Sequence, residues 1–430
     1  MVFRRAEHDP EADVATDAVL DGDRALRRGT AGAALRNRDF RIVWGGTFMS
    51  NIGTWMQNVL LGAFAYDLTK DSGYVGLIYF AQLGPLLFLA SVGGVLADMV
   101  DRRKYLIAMQ LQQLVCSVVL AFLAAADEPN EAAIFVCVLV IGIGNALSGP
   151  AIGAILPTLV PREDLPGAVS LQSVQMNLSR VIGPAIGAPL YASLGVGIVF
   201  GLNAGTYLFA IAALVVAHYQ SQATRRDGES ATARLAAGLR IAARDPLIRR
   251  VLITVATFSF FSVTFVGLMP EIADVNLGIE PKSVQYGLLY AVFGLGAALG
   301  AITVGTYLAR HSKEHVARVA LAVFAVLLAA FALLRDDLVA FPVVAVVGFF
   351  YFLVITSLST VLQEHLDDSV RGRITALWIM GFGGMVPLGV LVAGLIVELT
   401  SITMIVLGGS VVALLLAWYC DLDAVHPRRS

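Results

Sequence analysis

The chain has 430 residues, 57% of them hydrophobic and only 14% charged, with a mean hydropathy of +0.77 and a formal net charge of −2. Soluble domains carry about 25% charged residues, so this composition excludes an ordinary soluble globular protein and points to a membrane. Cys116, Cys137 and Cys420 sit singly in apolar runs, which argues against a disulfide framework or a zinc site.

Residues 1–38 mix acids and arginines with no apolar core that could act as a signal peptide, and read as a disordered cytoplasmic tail. Crossing a bilayer as a helix takes about 20 residues, and twelve apolar runs of roughly that length follow: about 40–66, 74–97, 104–126, 131–149, 168–192, 195–218, 248–270, 284–309, 315–334, 338–361, 373–398 and 401–420. The expected fold is therefore all-α and polytopic. The longest internal loop divides it into a six-helix bundle over 39–218, a linker over 219–247, a second bundle over 248–420 and a tail over 421–430. Within the linker, Leu235, Leu239 and Ala242 alternate with Arg234, Arg240 and Arg244, the pattern of an amphipathic helix on the membrane surface; a plain charged linker is the alternative. All but four of the 30 Lys and Arg residues fall on one side of this arrangement. Lys70, Lys282 and Arg335 lie on the other side, and Arg180 lies inside a run. By the positive-inside rule both termini are expected in the cytoplasm, with the chain in the cell membrane.

In the first run, Thr47, Asn51, Thr54 and Asn58 repeat at three- and four-residue spacing beside Trp55. Such a stripe faces the bundle interior, as substrate contacts or as interhelical glue. Gln82, Asn145 and Ser148 are similar but single. Between the second and third runs lies GGVLADMVDRRK, residues 93–104, where Gly94, Asp98, Arg102, Arg103 and Lys104 set an acid and a basic cluster at adjoining helix ends. Glycine permits close helix approach and the charges can latch the ends, so these five are candidate gate residues. In the fifth run, SRVIGPAIGAP holds Gly183, Pro184 and Gly187, which predict a bent, closely packed helix. One turn earlier, Arg180 is the one basic residue at membrane depth, beside a face bearing Gln172 and Gln175. It is expected to line a cavity and meet an anionic group or a coupling carboxylate, against the alternative of binding helix-end carbonyls.

The second half offers aromatics: Phe258, Phe261 and Phe265, then Tyr286, Tyr290 and Phe293, then Tyr351. Phe261, Tyr286, Tyr290 and Tyr351 are the substrate-cavity candidates there, and packing is the plainer alternative. No Asp or Glu falls mid-run. Glu271, directly after Pro270 at an outer end, is the best-placed proton carrier, with a solvated helix end as the alternative. GLGAALG, residues 294–300, lies inside a membrane run without a preceding strand and reads as small-residue packing, not a dinucleotide loop. There is no Walker sequence, and the basic runs lack the interleaved aromatics of a nucleic-acid surface. No catalytic site, metal site, cofactor or nucleic-acid partner is expected.

Residues 93–104 resemble the loop between the second and third spans of the major facilitator superfamily, with Met99 in place of a usually basic residue and Asp101 where Gly is usual. The Gly183–Pro184 element resembles the superfamily's antiporter sequence, with Ala188 in place of the second paired glycine. From Leu35 to about Cys420 the chain is similar to bacterial exporters of the enterobactin-exporter and drug-efflux type, notably in 35–69, 149–165 and 363–373. Residues 156–172 also resemble 362–378, as two related halves would. At 305–315, Ala309 stands where the gate aspartate would be. The resemblance implies a monomeric transporter working by alternating access, exporting an amphipathic small molecule with proton coupling. An uptake permease or lysolipid translocator of the same fold, and a non-transporting sensor or assembly partner, remain as alternatives.

Overall fold

The structure is a computed structural model and describes residues 29–218, 231–308 and 310–422. Its helices are α1 Ala31–Arg36, α2 Arg38–Thr69, α3 Ser72–Leu83, α4 Pro85–Met99, α5 Arg102–Ala124, α6 Glu131–Leu159, α7 Leu165–Leu194 and α8 Val196–Val216. These are followed by α9 Ala231–Arg244, α10 Pro246–Thr257, α11 Val284–Gly305, α12 Lys313–Leu333, α13 Asp337–His365, α14 Asp368–Ile379, α15 Met385–Val397 and α16 Ile402–Tyr419. Among the described residues there is no strand.

Among the described residues, ten helical stretches are long and apolar enough to cross a membrane. The two other expected spans, α2 with 32 residues and α7 with 30, have the length but not the composition. They are the helices that carry the Thr47–Asn58 stripe and the Gln172–Arg180 face, so their polarity belongs to an interior surface and not to lipid.

Helix ends divide into two faces. One face, basic through Arg102–Lys104, Arg162, Arg249 and Arg371, holds the Arg103–Val215 and His365–Asp245 contacts between helix ends; the opposite face holds the Tyr74–Glu131 and Ser72–Glu271 contacts. Within the first part of the chain α2 packs on α7 and α8, α5 on α6 and α8, and α6 on α3 and α4. Within the second, α13 packs on α11 and α12, and α12 on α16. Two seams join the parts, α3 against α15 and α7 against α11.

Three departures from the expected elements have local causes. Residues 31–36, placed in the tail, form a helix capped by Thr30; Ala34 is fully buried and Gly29 N–H donates to Asp164 Oδ1 at 3.1 Å. Residues 1–28 lie outside the described residues. The second run is two helices, because Pro85 cannot donate and starts a new first turn after Gly84. The seventh run leaves regular helix after Thr257, passing through π-helical turns at Phe258–Ser262 and Ile272–Asn276 around Pro270. The linker does contain a helix, α9, whose Gly238 lies against the Arg373 carbonyl of α14.

Candidate substrate cavity and gates

The polar stripe of α2 divides by depth. Towards the basic face, Thr47 Oγ1 accepts from Gln175 Nε2 at 3.0 Å, and Trp44 Nε1 donates to the Leu171 carbonyl at 3.1 Å. Thr47, Asn51, Gln172 and Gln175 line one cavity between α2 and α7. It holds about 70 Å³, enough for a few waters at roughly 30 Å³ each but not for a drug-sized molecule. Deeper in, the stripe is glue. Asn58 Oδ1 accepts from Gln82 Nε2 at 2.6 Å, and the Thr54 hydroxyl lies 3.4 Å from that of Tyr207.

Beside Thr54 sits a group that reading the sequence missed. Gln57 Oε1 accepts from Ser117 Oγ at 3.1 Å and from Asn203 Nδ2 at 2.8 Å, tying α2, α5 and α8 together with all three residues buried. Each such bond in a membrane bundle contributes about 0.6 kcal/mol. Asn145 is half-buried and lies outside this network and the α2–α7 cavity.

Arg180 sits halfway along α7, where the two parts of the chain meet. Its guanidinium lies over the Trp55 ring of α2 at 4.7 Å and over the Phe352 ring of α13 at 4.9 Å. Among the described residues it has no ion pair, and Nε is buried without a hydrogen-bond partner. The tyrosines Tyr79, Tyr290 and Tyr351 are its electrostatic neighbours. Two ring faces contribute about 1–4 kcal/mol together, which leaves much of the several kcal/mol needed to dehydrate a cation uncompensated. Among the described residues neither expected partner, a coupling carboxylate or a helix-end carbonyl, is paired with it.

The aromatic candidates separate too. Tyr290 and Tyr351 belong to a ring cluster, with Phe293 at 5.8 Å from Tyr290 and 6.0 Å from Tyr351. Tyr286 is 1% exposed and faces no open space. Phe261 does not join the cluster: it is 48% exposed and meets the Phe260 ring, while Phe258, one turn earlier, packs on Tyr351. The π-helical turn shifts the helical phase between Phe258 and Phe261. Phe352 was missed although it ends the run Phe349–Phe350–Tyr351–Phe352, whose density of rings was the available signal.

A larger space of about 590 Å³ opens at the basic face between α13 and α14, lined by Thr356, Ser359, Thr360, Gln363, Glu364 and Trp378 among others. That volume is in the range of small-molecule sites. At the opposite face the seams are shut. A Cβ on Gly287 of α11 would collide with Ala188 of α7 and lie 3.1 Å from the Pro184 carbonyl. On the other seam, a Cβ on Gly76 would lie 2.9 Å from Leu391 Cα.

Further towards the opposite face, the Ser72 hydroxyl donates to Glu271 Oε2 across the seam, and Lys70 Nζ lies 3.8 Å from Asp274 Oδ2 and 3.6 Å from Asp67 Oδ1. Glu271 follows the membrane-length stretch Pro246–Val266 and is half-buried, not a solvated helix end. Burial pushes its pKa up, the Asp71 and Asp274 carboxylates add to that, and the Ser72 hydrogen bond opposes them.

At the basic face, Asp101 accepts from Arg103 N at 2.9 Å and Lys104 N at 3.1 Å, capping α5. The aspartate in place of the usual glycine thus has a structural task. Arg103 donates to the Val215 carbonyl and Arg102 Nη1 to the Ala154 carbonyl at 3.5 Å, while Lys104 is exposed. The surroundings of Gly94 and of the Asp98 side chain, and Ala309, lie outside the described residues. The Gly183–Pro184 element is a packing surface: α7 continues through Pro184, and a Cβ on Gly183 would lie 2.7 Å from Met56 N and 2.8 Å from Ile52 O of α2. Gly187 faces the Met56 side chain. Gly296 and Gly300 likewise face the α13 backbone, the packing role expected of them.

Membrane-length helices pack in two groups with polar and charged groups held at their junction, and the family match over residues 29–427 makes this a multi-pass transporter of the major facilitator superfamily. The chain belongs to the transmembrane secretion effector family, which it matches over residues 29–427. It is 29% identical over 346 residues to the enterobactin exporter EntS of Escherichia coli O1:K1 / APEC, covering 79% of this chain and 80% of that protein. The same exporter from Escherichia coli O139:H28 (strain E24377A / ETEC) matches to the same extent. Among solved structures, the nucleoside transporter NupG superposes with a TM-score of 0.68 at 13% identity, over 91% of this chain and 100% of that one. A bacterial homologue of the human lysosomal transporter Spinster, in an inward-facing and unoccupied conformation, gives 0.68 at 14% identity, over 91% and 97%.

Proposed function

We propose that this chain is a secondary active exporter that moves an amphipathic, siderophore- or drug-like small molecule out of the cell by alternating access. In this reading twelve spans form two six-helix halves, the basic face is cytoplasmic, both termini are inside and the monomer is the working unit. The arrangement that supports the reading is that glycine-mediated contact shuts both seams at the opposite face, while a space of about 590 Å³ opens at the basic face beside α13 and α14 of the second half. A substrate would enter from the cytoplasm, reach the Arg180 junction, and leave when the Gly287–Ala188 and Gly76–Leu391 contacts part. Asp98, with Arg102 and Arg103, would latch the basic face in the outward-open state.

Proton coupling would run through Glu271. Its carboxyl would take up a proton from outside while the opposite face is open, hold it as that face closes around it, and give it up towards the cytoplasm before the face reopens, so that protons enter as substrate leaves. The 29% identity to an enterobactin exporter supports the cargo class and the outward direction. The test is accumulation in bacterial cells that lack their own major exporters. Cells expressing the chain should hold less of a fluorescent amphiphile than cells with empty vector, and collapsing the proton gradient should erase the difference. Greater accumulation in the expressing cells would replace export with uptake.

A further inference from the structure

We propose that Arg180, held over the Trp55 and Phe352 rings, is the oxyanion-binding centre of the substrate site, and that the cargo is an organic acid with an aromatic body. The inference rests on the transporter reading and adds the charge and shape of what is carried.

The guanidinium has a geometry suited to one kind of ligand. Its charge lies over the faces of two rings, Trp55 at 4.7 Å and Phe352 at 4.9 Å, and neither ring offers an oxygen acceptor to its N–H groups. That leaves the N–H edge, where five donors lie in one plane and match a carboxylate or similar oxyanion two bonds at a time. Nε on that edge is buried and unpartnered, and among the described residues no carboxylate neutralises the charge. A cation kept at membrane depth with ring faces but no acid beside it is arranged for an anion from elsewhere. The Tyr79, Tyr290 and Tyr351 neighbours and the Phe293 ring make the surroundings aromatic, which favours a flat aromatic body beside the anionic head. An ammonium or other cationic amphiphile would meet an uncompensated positive charge and be rejected.

The arrangement also links binding to movement. Trp55 and Arg180 belong to the first part of the chain and Phe352 to the second, so a ligand on this edge touches the junction about which the halves would rock.

The experiment uses the purified full-length chain in nanodiscs and three matched probes, 2-naphthoate, 2-naphthamide and 2-naphthylmethylammonium, measured by equilibrium dialysis. The wild type should bind the acid at least about ten-fold more tightly than the amide, with the ammonium weakest. Arg180→Gln should bring the acid-to-amide ratio to about one, and Arg180→Lys, which keeps charge but not the planar fork, should fall between. Monodispersity and melting temperature of the variants guard against misfolding, and the wild-type ratio needs no variant at all. If the wild type fails to prefer the acid, whether both neutral and anionic probes bind or neither does, the proposal is overturned. An unchanged ratio in a folded Arg180→Gln also overturns it. A chain that selects naphthoate yet moves nothing in liposomes would retain the anion site and lose the transporter reading.

Discussion

Gly287 offers a way to move the conformational balance with a single methyl group. It lies in the first turn of α11 against α7, and a Cβ there would collide with the Ala188 methyl, with the Ala188 Cα at 3.4 Å and the Pro184 carbonyl at 3.1 Å behind it. None of these can swing away as a long side chain could, so the helices must separate or strain. Overpacking of this kind costs about 1–3 kcal/mol. Because the contact exists only while the opposite face is shut, Gly287→Ala should raise the ratio of opposite-face-open to closed molecules by about 5- to 150-fold. The control is Gly183→Ala, whose Cβ would meet Met56 N at 2.7 Å and Ile52 O at 2.8 Å within one half. That strain should persist in both states, lowering the melting temperature without changing the balance. Spin labels at Leu194 and Val284, both exposed at this face, would report the separation by pulsed electron resonance in a chain with its three cysteines replaced. A longer-distance population should grow in Gly287→Ala and not in Gly183→Ala. If Gly287→Ala merely lowers the melting temperature with distances unchanged, the α7–α11 seam does not open and the two-state reasoning is wrong.

Asp98→Asn should reduce efflux at least ten-fold at matched membrane expression, since a neutral side chain cannot hold an arginine latch; normal efflux in that variant would dismiss the gate. Glu271→Gln should abolish substrate-induced proton flux in proteoliposomes while leaving substrate binding measurable, and proton flux equal to wild type would return Glu271 to a purely structural role. The burial-raised pKa of Glu271 also means that falling external pH should favour the closed opposite face, as read from the Leu194–Val284 distances, and that this dependence should vanish in Glu271→Gln. Asp245→Ala should destabilise the chain by about 1–2 kcal/mol in thermal melts, because Asp245 caps α10 through Leu247 N at 2.9 Å and Ile248 N at 3.0 Å and meets His365 Nε2 at 2.9 Å. Burial alone would raise the Asp245 pKa, but the His365 and backbone hydrogen bonds outweigh it and hold the carboxyl below its ordinary value. The carboxylate's own titration leaves this contribution fully present above about pH 4 and removes it as pH falls through the lowered value, so the gap between variant and wild type should shrink below about pH 4.

The helices were legible because a bilayer demands long apolar runs, and the two polar exceptions, α2 and α7, announced interior surfaces by the same rule. The stripe on α2 was legible as a stripe but not in its division. Thr47 and Asn51 line a cavity while Thr54 and Asn58 bind neighbouring helices, and only the partners decide which. Gln57, Ser117 and Asn203 are single polar residues far apart in the chain, with no local pattern to join them. The depth and isolation of Arg180 were readable, yet its ring contacts needed Phe352 from a helix 172 residues later. Asp101 looked like a departure from a family pattern until its capping of α5 supplied the physical reason. The break in the seventh run escaped notice because its residues are as apolar as any helix and only Pro270 hinted at irregular turns.

Directional transport by the purified chain is the most direct test of the whole account. In proteoliposomes carrying a fluorescent amphiphilic acid outside and an acid-inside proton gradient, molecules oriented with the basic face outward should draw the dye into the lumen. They should release lumenal protons as they do so. The account predicts dye accumulation against its gradient that needs the pH difference and is absent with Arg180→Gln. Equilibration of the dye without accumulation, unaffected by the pH gradient, would contradict it.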